Sequence, residues 1–369
     1  MLETIVFVHG FLGWGRDENI VDYWNDDIIK KHFPNHKTHI ASVGAISSNW
    51  DRACELYAQI KGGTVDYGGL HSSTCNHKRY GRTYEGFFPE WSVSNPIILI
   101  GHSMGGQTIR QLEKLIQVGD SGERGFDGVP TCGVPTCGVP TCCSPLFRGL
   151  GGGIKKVITI STPHMGSPLF DIFGDTLVDK IKDTVVRIGI NMKESDELTR
   201  LYDMDIEHYN LGKMEDETNE KYKERIENHP IWDKDYKDIS SWDLSVSGSK
   251  EFNMSSASVY PGVHYLAVST HRTFGLFGWA FPSFWMLPGL SVTSLLMGLF
   301  RYGGNDGLVP SSSSRGPCES IPLGSEDVRS GRWYYVDSKL DHLQVLGIFP
   351  GWECRVDSVF ETISKFIDN

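Results

Sequence analysis

One serine in the sequence has the surroundings that a serine nucleophile requires. The four residues 97–100 are apolar, and they run directly into Gly-His-Ser-Met-Gly at 101–105, with Ser103 at the centre of a Gly-x-Ser-x-Gly motif. A buried strand, this motif and a following helix together predict a sharp turn that exposes the serine hydroxyl. An ordinary glycine-rich turn with a solvated serine also matches the bare motif, so the rest of the chain has to distinguish the two interpretations.

A serine hydroxyl becomes an effective nucleophile when a histidine accepts its proton and a carboxylate orients that histidine. Downstream of Ser103, Asp306 lies in an Asn-Asp-Gly turn and His342 precedes a predicted C-terminal helix. Asp337 and Asp341 are closer to His342 in sequence, but adjacency alone does not give the required side-chain geometry. The order serine, aspartate, histidine is also that of the strand–serine–helix hydrolases. We therefore predict Ser103, Asp306 and His342 as the catalytic residues.

A second strand end supports this interpretation. Residues 5–8 form another apolar run, which ends in His9-Gly10-Phe11. In hydrolases with a serine at a strand–helix turn, the segment after a neighbouring strand supplies a backbone amide that stabilises the oxyanion. Two matching strand ends favour a serine hydrolase over a chance motif.

The remaining pattern predicts the elements that position these residues. A helical stretch at 108–117 and a buried strand at 157–160 follow the motif, which predicts a parallel sheet. Residues 168–192 have helical spacing and form either a lid or a core helix. The charged stretch 195–238 is interpreted as solvated helices without chemistry. The aromatic stretch 274–300 is too interrupted to span a membrane, and it either lines an acyl pocket, contacts lipid or is buried core.

Length and composition bound the function. The 369 residues are sufficient for one elaborated domain, 1–369, and 39% hydrophobic with 22% charged residues is typical of a globular protein. A net charge of -11 without a Lys/Arg-rich run argues against nucleic acid as a partner. The first strand begins within five residues of Met1, which leaves no room for a signal peptide, so we expect a cytoplasmic protein unless the chain is processed or truncated.

Half of the eight cysteines lie in a Gly-Val-Pro-Thr-Cys repeat within 120–153. These are Cys132, Cys137, Cys142 and Cys143. Proline and glycine at this density predict an irregular loop. A five-residue cysteine period is not a zinc-finger spacing, so we favour a surface loop over a metal or disulfide site.

Taken together, the chain resembles the zinc-containing bacterial true lipases of the thermoalkalophilic and staphylococcal type. The matching blocks are 9–15, 47–55, 62–68, 79–84, 101–105, 242–245, 305–307 and 341–343. The resemblance implies an α/β-hydrolase fold: a mostly parallel sheet with helices on both faces, a helical lid and a small zinc-bearing insertion. It also implies that Ser103, Asp306 and His342 form the triad, and that the backbone amides of Phe11 and Met104 form the oxyanion hole. Met104 replaces the family's usual glutamine, but a main-chain amide is unaffected by that change.

The resemblance further implies a structural zinc held by two aspartates and two histidines. The matching positions are Asp51, His71, His77 and Asp243, with an insertion at 49–84 joined by Asp243. Four nitrogen and oxygen ligands without an open position would make this zinc structural rather than catalytic. Cys75 lies between the two histidines as a competing ligand.

The family's calcium site has no equivalent acidic pair here. Gln344 and Phe349 occupy the two acidic positions, although Pro350 still matches. Loss of both charged oxygen ligands removes most of the affinity for a hard cation, so we expect no calcium.

The leading hypothesis is a serine carboxylic-ester hydrolase, with triacylglycerol lipase as its most specific form and an acylglycerol or other ester at a lipid–water interface as substrate. An intracellular acyltransferase or thioesterase would use the same triad. A non-catalytic lipid-binding scaffold is the remaining alternative, but it predicts a broken triad.

Overall fold

A seven-stranded parallel sheet forms the centre of the molecule. The computed structural model describes residues 2–16, 21–127, 144–191, 203–214 and 216–369. In chain order the strands are β1 Thr4–Val8, β2 Lys37–Ala41, β3 Gly63–Asp66, β4 Tyr80–Tyr84, β5 Ile97–His102, β6 Ile154–Ile160, β7 His264–Thr270, β8 Thr273–Leu276, β9 Trp279–Pro282, β10 Ser320–Pro322 and β11 Trp333–Ser338. The main sheet has the order β10-β11-β7-β6-β5-β1-β2 and every pairing in it is parallel. The pairs β3–β4 and β8–β9 are separate antiparallel hairpins.

Helices cover both faces of this sheet. The α-helices are α1 Asp26–His32, α2 Asn49–Lys61, α3 Gly69–Cys75, α4 Met104–Val118, α5 Ser121–Asp127, α6 Pro145–Arg148, α7 Pro168–Asn191, α8 Asn219–Glu227, α9 Ser240–Asp243, α10 Val246–Ser255, α11 Pro288–Leu299, α12 Ser311–Ser314 and α13 Glu353–Asp368. A parallel sheet between two helical layers confirms the predicted α/β class with helices on both faces of the sheet.

The alternation of side chains along the central strands explains the two layers. Val6 and Val8 of β1 pack into one core with α2 and α4, whereas Ile5 and Phe7 pack into a second core with α1 and α13. Neighbouring β5 has the same alternation. Strands buried on both faces have a continuously apolar sequence, which is why 5–8 and 97–100 were recognisable as strands.

The predicted special segments have distinct structures. Of 49–84, α2 packs on α4 as part of the main helical layer, and β3, α3 and β4 form the excursion from it. Within 120–153, α5 and α6 are helices that flank the repeat, and the repeat cysteines lie outside the described residues. The candidate lid at 168–192 is α7 as far as Asn191, and it packs on α8 through Ile181 and Val185. None of the helices in the described ranges has both the length and the hydrophobicity needed to cross a bilayer.

The close contact between β1, β5 and α4 requires glycine at two positions. A Cβ on Gly101 would lie 2.4 Å from the carbonyl carbon of Gly105, and a Cβ on Gly105 would lie 2.3 Å from the carbonyl oxygen of Val8. Real Cβ atoms do not approach backbone this closely, so α4 can start directly behind β5 only because both side chains are absent. The two glycines of the Gly-x-Ser-x-Gly motif are therefore packing requirements.

Gly105→Ala should consequently reduce the free energy of unfolding by about 1–3 kcal/mol, the usual cost of overpacking a core. The measurement is urea unfolding followed by circular dichroism. Gly174→Ala in α7 is the matched control, since its Cβ would meet no atom within 4 Å. Unchanged stability of Gly105→Ala would contradict this account of the motif.

Candidate active site and metal cluster

Ser103 lies in a strained turn between β5 and α4. Its φ of 55° and ψ of -128° are in a region that non-glycine residues seldom adopt. The Ser103 amide donates to the carbonyl of Ile160 at 2.8 Å, and the Gly106 amide donates to the Ser103 carbonyl at 3.0 Å. Both bonds hold the turn in this conformation. The motif predicted a sharp turn at this serine, and the Ser103 side chain in that turn is half-buried.

Asp306 and His342 form a buried hydrogen-bonded pair. His342 Nδ1 lies 2.9 Å from Asp306 Oδ2, and the His342 amide donates to the Asp306 carbonyl at 3.0 Å. Thr270 Oγ1 donates to Asp306 Oδ2, and the amides of Leu308 and Val309 donate to Oδ1. These donors fix the carboxylate, so that it orients the imidazole and leaves Nε2 available for a proton. The structure thus brings together the predicted base and its predicted acid, and not Asp337 or Asp341.

A relay of hydrogen bonds joins this pair to the serine turn. His102 Nε2 lies 2.9 Å from the His342 carbonyl, which can only accept, so Nε2 carries the proton and Nδ1 accepts from the Tyr23 hydroxyl at 2.6 Å. The Tyr23 oxygen in turn accepts from the Gly10 amide at 2.9 Å. Burial lowers the pKa of His102 well below its usual value, so the ring stays neutral in this role. Neither Tyr23 nor His102 was singled out from the sequence.

The segment after β1 lies against the serine. A Cβ on Gly10 would fall 2.7 Å from the Cβ of Ser103, so the backbone that leads to Phe11 passes directly beside the nucleophile. Met104 is the first residue of α4, where the amide has no acceptor within the helix. The two backbone amides predicted for the oxyanion hole therefore belong to the segments that flank Ser103. The Phe11 ring also contacts Phe170 of α7, with 5.6 Å between ring centroids.

The buried guanidinium of Arg52 holds that segment in place. Arg52 extends from α2, and its Nη2 donates to the His9 carbonyl, Nη1 to the Gly44 carbonyl and Nε to Thr108 Oγ1. His9 is fixed as well: Nδ1 donates to the Gly10 carbonyl and Nε2 accepts from the Val43 amide. Burial lowers the pKa of His9 to about 3, which keeps the ring neutral. Arg52 was not recognised from sequence, because nothing near it in the chain indicates what it contacts.

A second cluster of ionisable side chains lies between α2, α3 and the segment before α9. His71 Nε2 lies 3.2 Å from both Asp51 Oδ1 and Asp238 Oδ1, and His77 Nε2 lies 3.2 Å from Asp238 Oδ2 and 3.8 Å from Asp51 Oδ1. Burial alone would lower the pKa of His71, but Asp238 and Asp51 raise it well above its usual value. We call these four residues the metal cluster.

The donor set fits a tetrahedral metal ion. Ligand atoms about 2.0–2.2 Å from a tetrahedral zinc are roughly 3.3–3.6 Å apart, and the separations in the cluster are close to these values. His77 Nε2 and Asp238 Oδ2 are buried and face each other, yet neither makes a hydrogen bond of good geometry with any residue that the structure describes. Such orphaned atoms are costly unless a further group satisfies them. His71, Cys75, His77 and Asp238 can also be grouped as possible ligands.

The sequence-based choice of Asp243 as the fourth ligand needs correction, because the structure places Asp238 there. Asp243 Oδ2 accepts from the Asn49 amide at 2.5 Å and so caps the start of α2. Burial raises the pKa of Asp243 to about 7, and the negative charges of Asp238 and Asp51 act in the same direction. Asp238 falls in the charged stretch 195–238, to which no chemistry was assigned. It lies far from the histidines in sequence, so no local spacing indicated it.

Three further side chains surround the metal cluster. His208 Nε2 lies 3.1 Å from Asp51 Oδ2, and the Tyr209 hydroxyl donates to the same oxygen at 2.8 Å, which leaves Oδ1 directed at the histidines. Glu123 of α5 accepts from the His71 amide at 2.6 Å and fixes the first turn of α3. Partners of this kind orient the ligands of metal sites. None of the three was recognised from the sequence.

Cys75 is on the other side of the His71 ring. Its Sγ lies 3.9 Å from Nδ1, whereas both aspartates approach Nε2. A metal bound through Nε2 would therefore leave the thiol as a partner of the ring's other nitrogen.

Gln344, two positions after His342, is fixed by hydrogen bonds at both ends of its side-chain amide. Gln344 Oε1 accepts from the Asp341 amide at 3.1 Å, and Gln344 Nε2 donates to the Trp285 carbonyl at 2.8 Å. The side chain that stands at the first acidic position of the family's calcium site is thus bonded at both of its ends.

The sequence is similar to those of known bacterial lipases. Residues 2–352 match the family model described as Lipase-like, C-terminal domain. A lipase of Staphylococcus epidermidis is 32% identical in an alignment 362 residues long that covers 94% of this chain and 50% of that protein. Lipase 2 of Staphylococcus aureus is 32% identical over 368 residues, with coverage of 95% and 49%. The chain therefore spans about half the length of the curated relatives it matches.

Solved structures agree with this assignment. Staphylococcus hyicus lipase superposes with a TM-score of 0.83 at 29% identity, over 99% of this chain and 94% of that one. EstA from Clostridium botulinum superposes with a TM-score of 0.80 at 34% identity, over 99% and 87%. The family match, the identity to staphylococcal lipases and the common fold confirm the resemblance found in the sequence: the chain belongs to the staphylococcal-type lipase family.

Proposed function

We propose that this chain is a serine carboxylic-ester hydrolase, with acylglycerols as its substrates. The observation that carries the proposal is the buried Asp306–His342 pair, which the His102 relay joins to the strained turn of Ser103. The membership in a lipase family supports the same reaction class. An acyltransferase or thioesterase would differ only in the acceptor or the leaving group.

In the proposed mechanism, Ser103 attacks the ester carbonyl while His342 Nε2 accepts the hydroxyl proton. Asp306 keeps Nδ1 protonated and stabilises the imidazolium that forms. The amides of Phe11 and Met104 donate to the oxyanion of the tetrahedral intermediate. His342 then protonates the departing alcohol, which leaves an acyl group on Ser103. Water attacks this acyl-enzyme with His342 as the base and releases the fatty acid.

The substrate class also gives α7 a role as a lid. Its Ile172 and Phe173 are exposed, whereas Phe170 contacts the Phe11 ring beside the nucleophile. We call residues 9–11, which follow β1 and include Phe11, the oxyanion segment. A helix with apolar side chains towards solvent and a contact to this segment is suited to cover the site in water and to move at a lipid–water interface.

We propose zinc as the ion of the metal cluster, held by Asp51, His71, His77 and Asp238. When bound, it would cross-link α2, α3 and the segment before α9, a structural role that takes no part in ester chemistry. Calcium is not part of the proposal, because both ends of the Gln344 amide already have protein partners.

The first test is ester hydrolysis by Ser103→Ala. Loss of the nucleophile should lower kcat on the order of 10⁶-fold, to background, measured with soluble short-chain esters and emulsified long-chain triacylglycerols. Ser94→Ala, an exposed loop serine, is the matched control and should retain full activity. Equal hydrolysis by Ser103→Ala and wild type would reject the proposed nucleophile. Absence of turnover in both would instead favour the lipid-binding scaffold.

Tyr23→Phe tests the relay behind the serine. The variant leaves the Gly10 amide and His102 Nδ1 without their partner, so we expect the free energy of unfolding to fall by about 1–3 kcal/mol. Because the oxyanion segment also loses its fixed position, kcat for a soluble ester should fall on the order of 10–100-fold with little change in KM. Tyr80→Phe removes an exposed hydroxyl and is the control. A loss of stability with unchanged kcat would show that the relay does not position the site.

The metal assignment can be tested with two aspartates. Wild-type protein should contain about one zinc per chain after dialysis, measured by mass spectrometry of the metal content. Asp238→Ala should lose that zinc and should also lose the decrease in Tm that a chelator causes in wild type. Asp243→Asn keeps an oxygen acceptor for the Asn49 amide and should retain the zinc. If Asp243→Asn lost the zinc and Asp238→Ala retained it, the ligand would be Asp243, as the sequence analysis predicted.

A further inference from the structure

The stretch between Arg272 and Arg301 forms a surface of unusual composition. It comprises β8, β9, the loop 283–287 and α11, followed by Phe300, and we call it the aromatic surface. No Asp, Glu, Lys or Arg occurs anywhere between 273 and 300, although 22% of the chain is charged. The buried-core interpretation of this stretch is wrong, because many of its large apolar side chains are exposed. The exposed residues are Phe274, Leu276, Phe277, Trp279, Phe284, Trp285, Val292, Leu295, Leu299 and Phe300.

Two phenylalanines project furthest into solvent. Phe277 is 92% exposed and Phe284 is 90% exposed. Phe277 has a φ of 52° and is followed by Gly278 with a φ of 81°, in the two-residue turn between β8 and β9. Asparagine or glycine is preferred at such turn positions, and a bulky side chain there is strained. The hairpin therefore presents an aromatic ring to water at a conformational cost, which favours a role for that ring outside the fold.

The base of the aromatic surface is bonded to both catalytic loops. Thr293 Oγ1 donates to the Gly307 carbonyl at 2.5 Å, beside Asp306. On the other side, the Leu287 amide donates to Asp341 Oδ2 at 2.9 Å, beside His342, and Gln344 binds the Trp285 carbonyl. Whatever binds the aromatic surface is thus held next to the site of ester hydrolysis.

The chemistry of the surface and of its edge selects one partner. Arg301 follows the surface and is exposed. Exposed Arg355 lies over the Trp352 ring, which contacts Trp285 with 6.2 Å between centroids. Aromatic rings and aliphatic side chains bordered by arginines match the boundary between lipid headgroups and acyl chains.

We infer that the aromatic surface is the lipid-docking site of this protein, with Phe277 and Phe284 inserted among the acyl chains and the arginines at headgroup level. The inference rests on the proposed function because acylglycerol hydrolysis gives the enzyme a reason to bind lipid, but docking itself requires no catalysis. It assigns to the segment 273–300 the step that precedes ester hydrolysis, which is adsorption of the whole enzyme to the lipid surface.

The test measures binding separately from turnover. The Ser103→Ala protein is titrated with phosphatidylcholine vesicles, with and without phosphatidylglycerol, and bound protein is quantified by sedimentation. We expect Phe277→Asn and Phe284→Ser, in the same background, each to lower the partition coefficient roughly tenfold, since each removes a buried aromatic ring from the lipid. Met254→Ser, which removes an exposed side chain on α10, is the control and should bind like its parent.

The same two substitutions in active protein should lower hydrolysis of emulsified triolein but leave turnover of a soluble short-chain ester unchanged. Asparagine is favoured in the turn that Phe277 occupies, so Phe277→Asn should not lower Tm. Unaltered vesicle binding by both variants would overturn the inference, as would binding that needs phosphatidylglycerol and is independent of the two rings. A lowered Tm without a change in binding would show that the rings pack within the chain.

Size-exclusion chromatography could also show that Phe277→Asn and Phe284→Ser convert a dimer to a monomer while vesicle binding is unchanged. That result would assign the aromatic surface to contact with a second copy of the chain and would overturn the inference. The two hypotheses fail in different ways. If intact protein binds vesicles through the two rings but hydrolyses no ester, the proposed function is rejected and the docking site stands. If soluble esters are hydrolysed while the ring variants bind normally, only the docking site is rejected.

Discussion

The oxyanion segment of the proposed mechanism is held by the Tyr23 hydroxyl and by one buried cation, the guanidinium of Arg52. It donates to backbone carbonyls of the segment after β1 and of the segment after β2, and to a threonine of α4. A buried charge is costly unless its donors are satisfied, so any movement of these three segments away from one another is opposed by that cost. Glu55, which contributes little opposing charge because burial raises its pKa to about 8, bonds the Gly44 amide and the Tyr67 hydroxyl. The geometry beside Ser103 is therefore set largely by α2.

The first turn of α2 also connects the metal cluster to the candidate active site. Asp51 and Arg52 are consecutive residues in the first turn of α2, yet Asp51 faces His71 and His208 while Arg52 faces the oxyanion segment. Asp243 caps the same turn through the Asn49 amide. An ion held by Asp51 would thus restrain the turn from which Arg52 extends, although the ion lies outside the reaction. The excursion formed by β3, α3 and β4 contributes to the active site through this turn.

The parts that the sequence predicted well are those encoded by contiguous residues. Apolar runs buried on both faces identified β1 and β5, and the two motif glycines followed from the close approach of α4 to β1. Asp306 could be preferred over the nearer Asp341 because it lies in a tight Asn-Asp-Gly turn, because adjacency to His342 does not give the required geometry, and because the family resemblance implied the same residue. In the structure, Asp341 accepts from the amides of Leu343 and Gln344, which are local bonds of its own loop.

The parts that sequence did not predict depend on long-range approach. Asp238 and Asp243 are both acidic and lie close together in the sequence, and neither composition nor spacing distinguishes a ligand from a helix cap. The difference is which residue faces His71 and His77, and that is decided by how the segment before α9 packs on α2.

The aromatic stretch 274–300 was also ambiguous in sequence. Its composition fits a core as well as a surface, and it is exposed because β8 and β9 pair with each other rather than joining the main sheet. The hairpin packs against α11 but adds no strand to the main sheet, and the rings of Phe274, Phe277 and Trp279 stay exposed. Their exposure follows from topology rather than from residue type.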